Sequence, residues 1–259
     1  MTAPTGTVPV EAWSDRLGPA LASSSALSGP LIVLRETAST QDVARSQATP
    51  GTVVVAARQT AGRGRFGRAW ADTGTDGVAM SIVVSVARLE TLAPACALAA
   101  CEAIEQVCPS VALRIKWPND LLLGGRKLAG ILIESIVSGD GHRVAVIGVG
   151  VNVSQGQFSG DLQNRATSLR MHGHTVDRLF IMAALITSFG RLEQWHEARI
   201  AAGFALRDAL VGSAGRFGTP QGEVAGRVLG LDPLRGLRLE TGTGEVFLPA
   251  ATTTVLPTD

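Results

Sequence analysis

The chain has 259 residues, 46% of them apolar, with 23 basic side chains against 22 acidic ones and a formal net charge of +1. That length holds one large domain, with or without a small appendage, and enough apolar residues for a sizeable core. The balanced charge excludes a global basic field that would draw the protein onto nucleic acid, and no apolar stretch reaches the ~18–20 residues of a bilayer span. The first residues lack the basic and apolar regions of a signal peptide, and Cys96, Cys101 and Cys108 have no metal-ligand partner motif, so a reduced, cytoplasmic protein is expected.

Residues 1–30, rich in Pro, Gly, Ser and Ala, read as a flexible arm with one short helix around Val10–Leu17. Leu31–Leu34 predicts a strand, and Ser39-Thr40 an N-cap for a helix over Gln41–Ala48. Thr52–Ala57 and Val78–Val86 read as strands on either side of a Gly/Arg loop, and Thr91–Val107 as a buried helix. Leu113–Trp117, Asp120–Leu123, Lys127–Val137 and Arg143–Val153 predict a meander, turned at Gly124-Gly125 and at the Gly-containing run 138–141. Leu179, Met182, Leu185, Ile186, Phe189, Leu192 and Trp195 recur at helical spacing, predicting one long helix over Asp177–Ala202. Beyond Gly212, Val224–Leu229, Leu237–Glu240 and Glu245–Leu248 have the texture of a small β-barrel. The order predicts an α+β fold: a mixed, largely antiparallel sheet covered by helices on one face. The expected division is an arm (1–30), a catalytic domain (31–208) and a C-terminal β domain (209–259).

The basic residues are unevenly chosen. Only Lys116 and Lys127 are lysines; the other 21 are arginines. A lysine gives a compact point charge where an arginine gives a planar fork. Both lysines fall near Asn119-Asp120, a pairing that points to a carboxylate, a phosphate or a metal. Asp120 is a hard oxygen ligand suited to Mg²⁺, and Asn119 can add a carbonyl or orient a phosphate. Gly62-Arg63-Gly64-Arg65-Phe66-Gly67 spells a dinucleotide fingerprint, but no helical pattern follows it, as that fingerprint requires. What remains is a glycine-permitted loop whose Arg63, Arg65 and Arg68 suit carboxylates or phosphates, with Trp70 available to stack. Gly130, and Gly148 and Gly150 beside Asn152, mark close approach of a ligand or another backbone. His172 and His174 lack carboxylate or thiol companions and are not read as metal ligands.

Taken in order, Ser39-Thr40-Gln41, Gln59 to Arg65, Lys116 to Asp120, Lys127 to Leu132 and Gly148 to Asn152 resemble the biotin protein ligase family. The resemblance covers about residues 35–155 and, more weakly, the rest. It implies a class II synthetase-like fold with a C-terminal SH3-like barrel. It further implies attack of biotin on MgATP to give biotinoyl-5′-AMP and pyrophosphate, then transfer to a lysine of a biotin carboxyl carrier domain of an acyl-CoA or pyruvate carboxylase. Carried over, Ser39, Thr40, Gln41, Gln59, Gly62, Arg63, Gly64 and Gly130 bind biotin, and Arg65 holds the adenylate. Lys116 and Lys127 contact carboxylate and phosphate oxygens, and Asp120 holds the metal with Asn119. Arg68, Trp70, Asn119, Gly148, Gly150 and Asn152 serve ATP and the adenylate. Gln41 departs from the Asn common in the family, and Phe66 stands at a variable position. Only 38 residues precede Ser39, so a ligase without DNA binding, as a monomer or weak homodimer, is expected. The alternatives are a lipoate ligase or octanoyltransferase of the same fold, a non-catalytic biotin sensor, and an RNA-binding module.

Overall fold

A computed structural model describes residues 8–71, 74–85, 89–137 and 141–256. Residues 1–7 of the expected arm, 86 at the end of a predicted strand and 138–140 of a predicted turn lie outside the described residues. The elements run Trp13–Ala22 (α1), Leu31–Thr37 (β1), Thr40–Gln47 (α2), Val53–Gln59 (β2), Gly62–Arg63 (β3), Ala69–Trp70 (β4), Gly77–Ser85 (β5) and Leu89–Val107 (α3). There follow Arg114–Lys116 (β6), Asp120–Leu123 (β7), Arg126–Val137 (β8), Arg143–Asn152 (β9), Arg178–Phe189 (α4) and Glu197–Ala205 (α5). The chain closes with Ala214–Thr219 (β10), Gly222–Asp232 (β11), Gly236–Thr241 (β12), Gly244–Pro249 (β13) and Thr254–Val255 (β14).

A seven-stranded sheet in the order β1-β2-β5-β9-β8-β7-β6 forms the centre. Only β1 and β2 are parallel; every other neighbour is antiparallel. The β7–β8 hairpin turns on Gly124 and Gly125, both at positive φ (57° and 77°), which glycine adopts without a Cβ penalty. Along β5 the side chains alternate. Val78, Met80 and Ile82 enter the main core with α1, α3 and α4, whereas Val83 joins Val54, Val144 and Val146 beneath Ala44 of α2 on the opposite face. The sequence reading put the helices on one face of the sheet; they lie on both, with α2 opposite α1, α3 and α4. α2 has two turns and covers only one end of its face, leaving the other end open. No helix of the described residues is long and apolar enough to cross a membrane.

The predicted long helix is two. α4 ends at Phe189, Trp195 is extended, and His196 starts α5 by accepting the Arg199 N–H at Nδ1 (3.2 Å). A Cβ on Gly190 would meet Ser24 Oγ, so the break sits where the segment after α1 presses on the end of α4. That N-terminal stretch is also more than a tethered arm. Trp13 and Leu17 are buried, and the Trp13 ring lies 4.6 Å below the Arg178 guanidinium, which donates to the carbonyls of Ala57 and Gly77. An aromatic side chain buried against a cation supplies packing that Pro/Gly/Ser composition does not reveal. Trp13→Ala is expected to cost about 3–5 kcal/mol, as other large-to-small changes at aromatic core positions do. Denaturant unfolding checks this: an unchanged midpoint would mean that α1 is only tethered.

At the C-terminus, β13-β12-β11-β10-β14 make a second, antiparallel sheet of five strands. The sequence expectation was a small barrel. β13 and β14 end this sheet on either side without pairing to each other, so it is open. Phe217, Val228, Leu237, Leu239 and Leu248 belong to the same core cluster as the central sheet. Two links fix the C-terminal sheet in place. Ile115 of β6 exchanges hydrogen bonds with Arg207 and Ala209, and Trp117 Nε1 donates to Pro233 O between β11 and β12 (3.1 Å).

Candidate active site

The open end of the α2-bearing face is a cleft of about 880 Å³. Sheet register builds its floor. Asp120 pairs with Gly130, Gly130 with Gly150 and Gly150 with Ala79, a row of mostly small residues across four strands. Gly148 lies between Leu132 and Ser81 in the next row on that face. The sequence reading expected these glycines to admit a ligand or backbone. The structure places side chains there instead. A Cβ on Gly148 would stand 2.6 Å from Gln41 Oε1, and one on Gly150 only 2.5 Å from the Trp70 indole, which also reaches Gly130. Gly150→Val is therefore expected to expel the indole, costing about 1–3 kcal/mol as overpacking does. Changed Trp70 emission, read in a Trp70→Phe difference spectrum, and a lowered melting point check it.

The α2 end of the cleft is neutral and polar. The Thr40 backbone N–H donates to Gln59 Oε1 (2.8 Å), and the Thr40 and Ser81 hydroxyls lie 2.9 Å apart. Ser81 donates to Gln41 Oε1 (3.1 Å), and Gln41 Nε2 donates to Val146 O (3.0 Å). Ser39 has N-cap backbone angles (φ −153°, ψ 128°), yet its hydroxyl caps nothing: it is buried and has no hydrogen-bond partner. A buried hydroxyl left unpaired costs free energy, so it suits a polar ligand atom that fills the vacancy. Sequence reasoning missed Ser81. Its signal was a hydroxyl in the middle of an apolar strand, at a position sharing a face with Ala79 and Val83.

The other end is charged. Lys127 Nζ lies 2.7 Å from Asp120 Oδ1 and 5.6 Å from the centre of the Trp70 ring. Lys116 pairs with Asp120 across β6–β7, and no ion-pair partner meets its ammonium among the described residues. The Gly/Arg loop is a hairpin: β3 pairs with β4, and the Gly64 N–H donates to Arg68 O (2.7 Å). At its tip Phe66 is exposed with φ 58°, a left-handed conformation strained for a side chain of that size. Arg65 reaches from the tip to donate to Asn119 Oδ1 (2.9 Å), while Asn119 Nδ2 donates to Ile131 O (2.6 Å). Burial pulls the Arg65 guanidinium below its ordinary pKa, and the Asp120 carboxylate partly restores it. It stays charged at any physiological pH.

Every sequence-predicted site residue except one lines this cleft. Gly62 lies behind it, where a Cβ would press on Gln59 Nε2 and Trp70. Two others occupy less open positions than expected. Arg63 points to Asp42 and Glu134, at 2.9 Å from each. Asn152 donates from Nδ2 to Thr167 O (3.0 Å), which ties the segment after β9 to the cleft wall. Sequence reasoning left open whether the C-terminal unit closes the site or meets the carrier and named no site residue in it; Ser213, Gly215, Phe217 and Leu256 complete one wall.

Residues 29–152 match the Biotin/lipoate A/B protein ligase family. The biotin–[acetyl-CoA-carboxylase] ligase of Paracoccus denitrificans is 35% identical over 216 residues, covering 76% of this chain and 88% of that protein. The chain belongs to the biotin protein ligase family. The bifunctional ligase/repressor BirA of Bacillus subtilis is 34% identical over 217 residues, which are 78% of this chain but 66% of that protein. Among solved structures of the family, the biotin protein ligase from Aquifex aeolicus in complex with biotin and ATP aligns with a TM-score of 0.75 and 26% identity. That alignment covers 88% of this chain and 99% of that one.

Proposed function

We propose that the chain activates biotin with MgATP to biotinoyl-5′-AMP and pyrophosphate, and then transfers the biotinoyl group to a lysine of a biotin carboxyl carrier domain. The observation that carries this reading is the polarity of one cleft. A neutral, hydrogen-bonding end with an unpaired Ser39 hydroxyl lies across the small-residue floor from a cationic end holding both lysines of the chain. A ligand with a neutral polar head and an anionic tail fits that gradient, head toward Ser39 and tail toward Lys116 and Lys127. Family membership and the names of the relatives support biotin over lipoate.

In the first step the biotin carboxylate oxygen forms a bond to the α-phosphorus, and the bond from that phosphorus to the pyrophosphate oxygen breaks. Both reactants are anions, so the chain has to neutralise and align them rather than abstract a proton. Lys116 and Lys127 supply the point charges, and Arg65 the planar fork at the hairpin tip. In the second step the acceptor amine attacks the acyl carbon; AMP leaves and the amine loses a proton as the amide forms. Until the acceptor arrives the anhydride must be kept from water, which suits a hairpin laid across the cleft.

The donor set fits Mg²⁺ that arrives with ATP. Asp120 offers one carboxylate next to Asn119, and no cluster of three or more His, Cys, Asp or Glu exists among the described residues. Magnesium is commonly held by one or two carboxylates plus substrate phosphates rather than by an all-protein cage. Asp120 would hold it, and the ion supplies charge neutralisation on the phosphates.

We assign catalysis to residues 31–208 and read the five strands of 209–259 as an SH3-like unit that walls the cleft. Three buried, unpaired cysteines, their thiols pushed up by burial, support a reducing cytoplasm. The near-zero net charge supports a role away from DNA. The test is intact-mass measurement of a carboxylase carrier domain incubated with the protein, MgATP and biotin, lipoate or octanoate. One biotinoyl group on one lysine is expected; acylation by lipoate or octanoate instead would overturn the substrate assignment.

A further inference from the structure

We propose that Arg63 is a positioning residue: with Asp42 and Glu134 it forms an ionic clasp that pins the Gly62–Trp70 hairpin across the cleft. Arg63 Nη2 lies 2.9 Å from Asp42 Oδ1 on α2 and 2.9 Å from Glu134 Oε2 on β8. Arg45, one turn beyond Asp42 on α2, adds a second guanidinium 3.5 Å from Glu134. One cation thus joins three elements. Because the Arg63 backbone pairs with Ala69, a grip on its side chain holds both strands of the hairpin.

The clasp lies away from the charged end of the cleft. Glu134 is four residues along β8 from Gly130, the partner of Asp120, which places it ~13 Å along the strand. The Arg63 charge is therefore engaged about a strand's length from Lys116, Lys127 and Asp120. A lone exposed ion pair contributes little. Here a single guanidinium separates two carboxylates, and Glu134 is only 27% exposed. Removing Arg63 takes away the side chain that ties the hairpin to α2 and β8, and leaves Arg45 as the guanidinium beside Glu134. Two residues further on, Arg65 reaches Asn119, and Trp70 pairs with Gly62. The clasp thus holds in place the hairpin that carries Arg65 and Trp70.

The test begins on the full-length protein without ligand, by the rate of tryptic cleavage at Arg65 and Arg68. Glu134→Gln and Asp42→Asn are each expected to raise that rate about fivefold, the scale of a modest local opening. The double variant Arg63→Gln/Glu134→Gln should cut no faster than Arg63→Gln alone, because both remove one interaction. Arg63→Lys, which keeps a cation between Asp42 and Glu134, should retain part of the protection that Arg63→Gln loses, which a variant that merely fails to fold would not. Unchanged cleavage in Glu134→Gln, or fully additive effects, would overturn the clasp.

A second arm rests on the ligase reading. With biotin and MgATP, Glu134→Gln should form biotinoyl-5′-AMP within about twofold of the wild-type rate but release it severalfold faster. If Arg63→Gln alone loses biotin binding while hairpin cleavage is unaltered in every variant, Arg63 is a substrate contact and the clasp is wrong. If the wild type makes no adenylate, the ligase reading fails while the cleavage result still decides the clasp.

Discussion

Lys127→Ala will lower the rate of biotinoyl-5′-AMP formation by roughly a thousandfold, ~4 kcal/mol of lost transition-state stabilisation. The reasoning starts from charge. An anionic nucleophile approaches an anionic phosphate, and Lys127 is one of two lysines available to place a compact positive charge between them. Its backbone is held without its side chain, since its N–H donates to Arg165 O (2.8 Å) and its carbonyl accepts from Thr167 N–H (2.9 Å). The variant should therefore fold. It also leaves Asp120 without its 2.7 Å counter-ion. Lys127→Arg will not restore the rate, because a broad fork over the Trp70 ring cannot take the place of a point charge. Quenched-flow measurement of bound adenylate checks both variants. Near-normal formation in Lys127→Ala would remove Lys127 from the chemistry and shift the burden to Lys116.

Arg65→Gly is expected to separate making the adenylate from keeping it. The Arg65 guanidinium crosses from the hairpin tip to Asn119, and Asn119 is itself anchored on Ile131 of β8. Loss of a hydrogen bond involving a charged group removes ~1.5–3 kcal/mol, so escape of the intermediate should rise roughly ten- to a hundredfold. Formation should fall much less, because both lysines remain. Rapid filtration after a single turnover distinguishes free from bound biotinoyl-5′-AMP. If the variant retains its intermediate as the wild type does, the hairpin does not shield the anhydride through Arg65.

The charged end of the site was legible because its residues are local. Lys116 to Asp120 and Lys127 fall on three strands joined by two tight hairpins, so sequence proximity is spatial proximity. The partners that reach across the fold were not. Glu134 lies 71 residues from Arg63, and without that pairing Arg63 reads as one more substrate arginine. The glycines of β9 announced close approach correctly, but nothing in one sequence says that Gln41 and Trp70 are what approach. The N-terminal helix was undervalued for the same reason: Trp13 finds Arg178 from the far side of the chain. Helical periodicity continued through Gly190 because apolar spacing alone does not register the crowding of Ser24 against that glycine. The open C-terminal sheet shows a related limit, since short strands broken by glycine suit an open sheet as well as a barrel.

The central claim is that a single cleft joins a biotin carboxylate to the α-phosphate of ATP. ATP–pyrophosphate exchange in the presence of Mg²⁺, measured with biotin, without it, and with lipoate or octanoate in its place, tests this most directly. Exchange that depends on biotin is the predicted result, because only reversible adenylate formation returns labelled pyrophosphate to ATP. Biotin bound without exchange would contradict the account and identify a cleft that senses biotin without activating it.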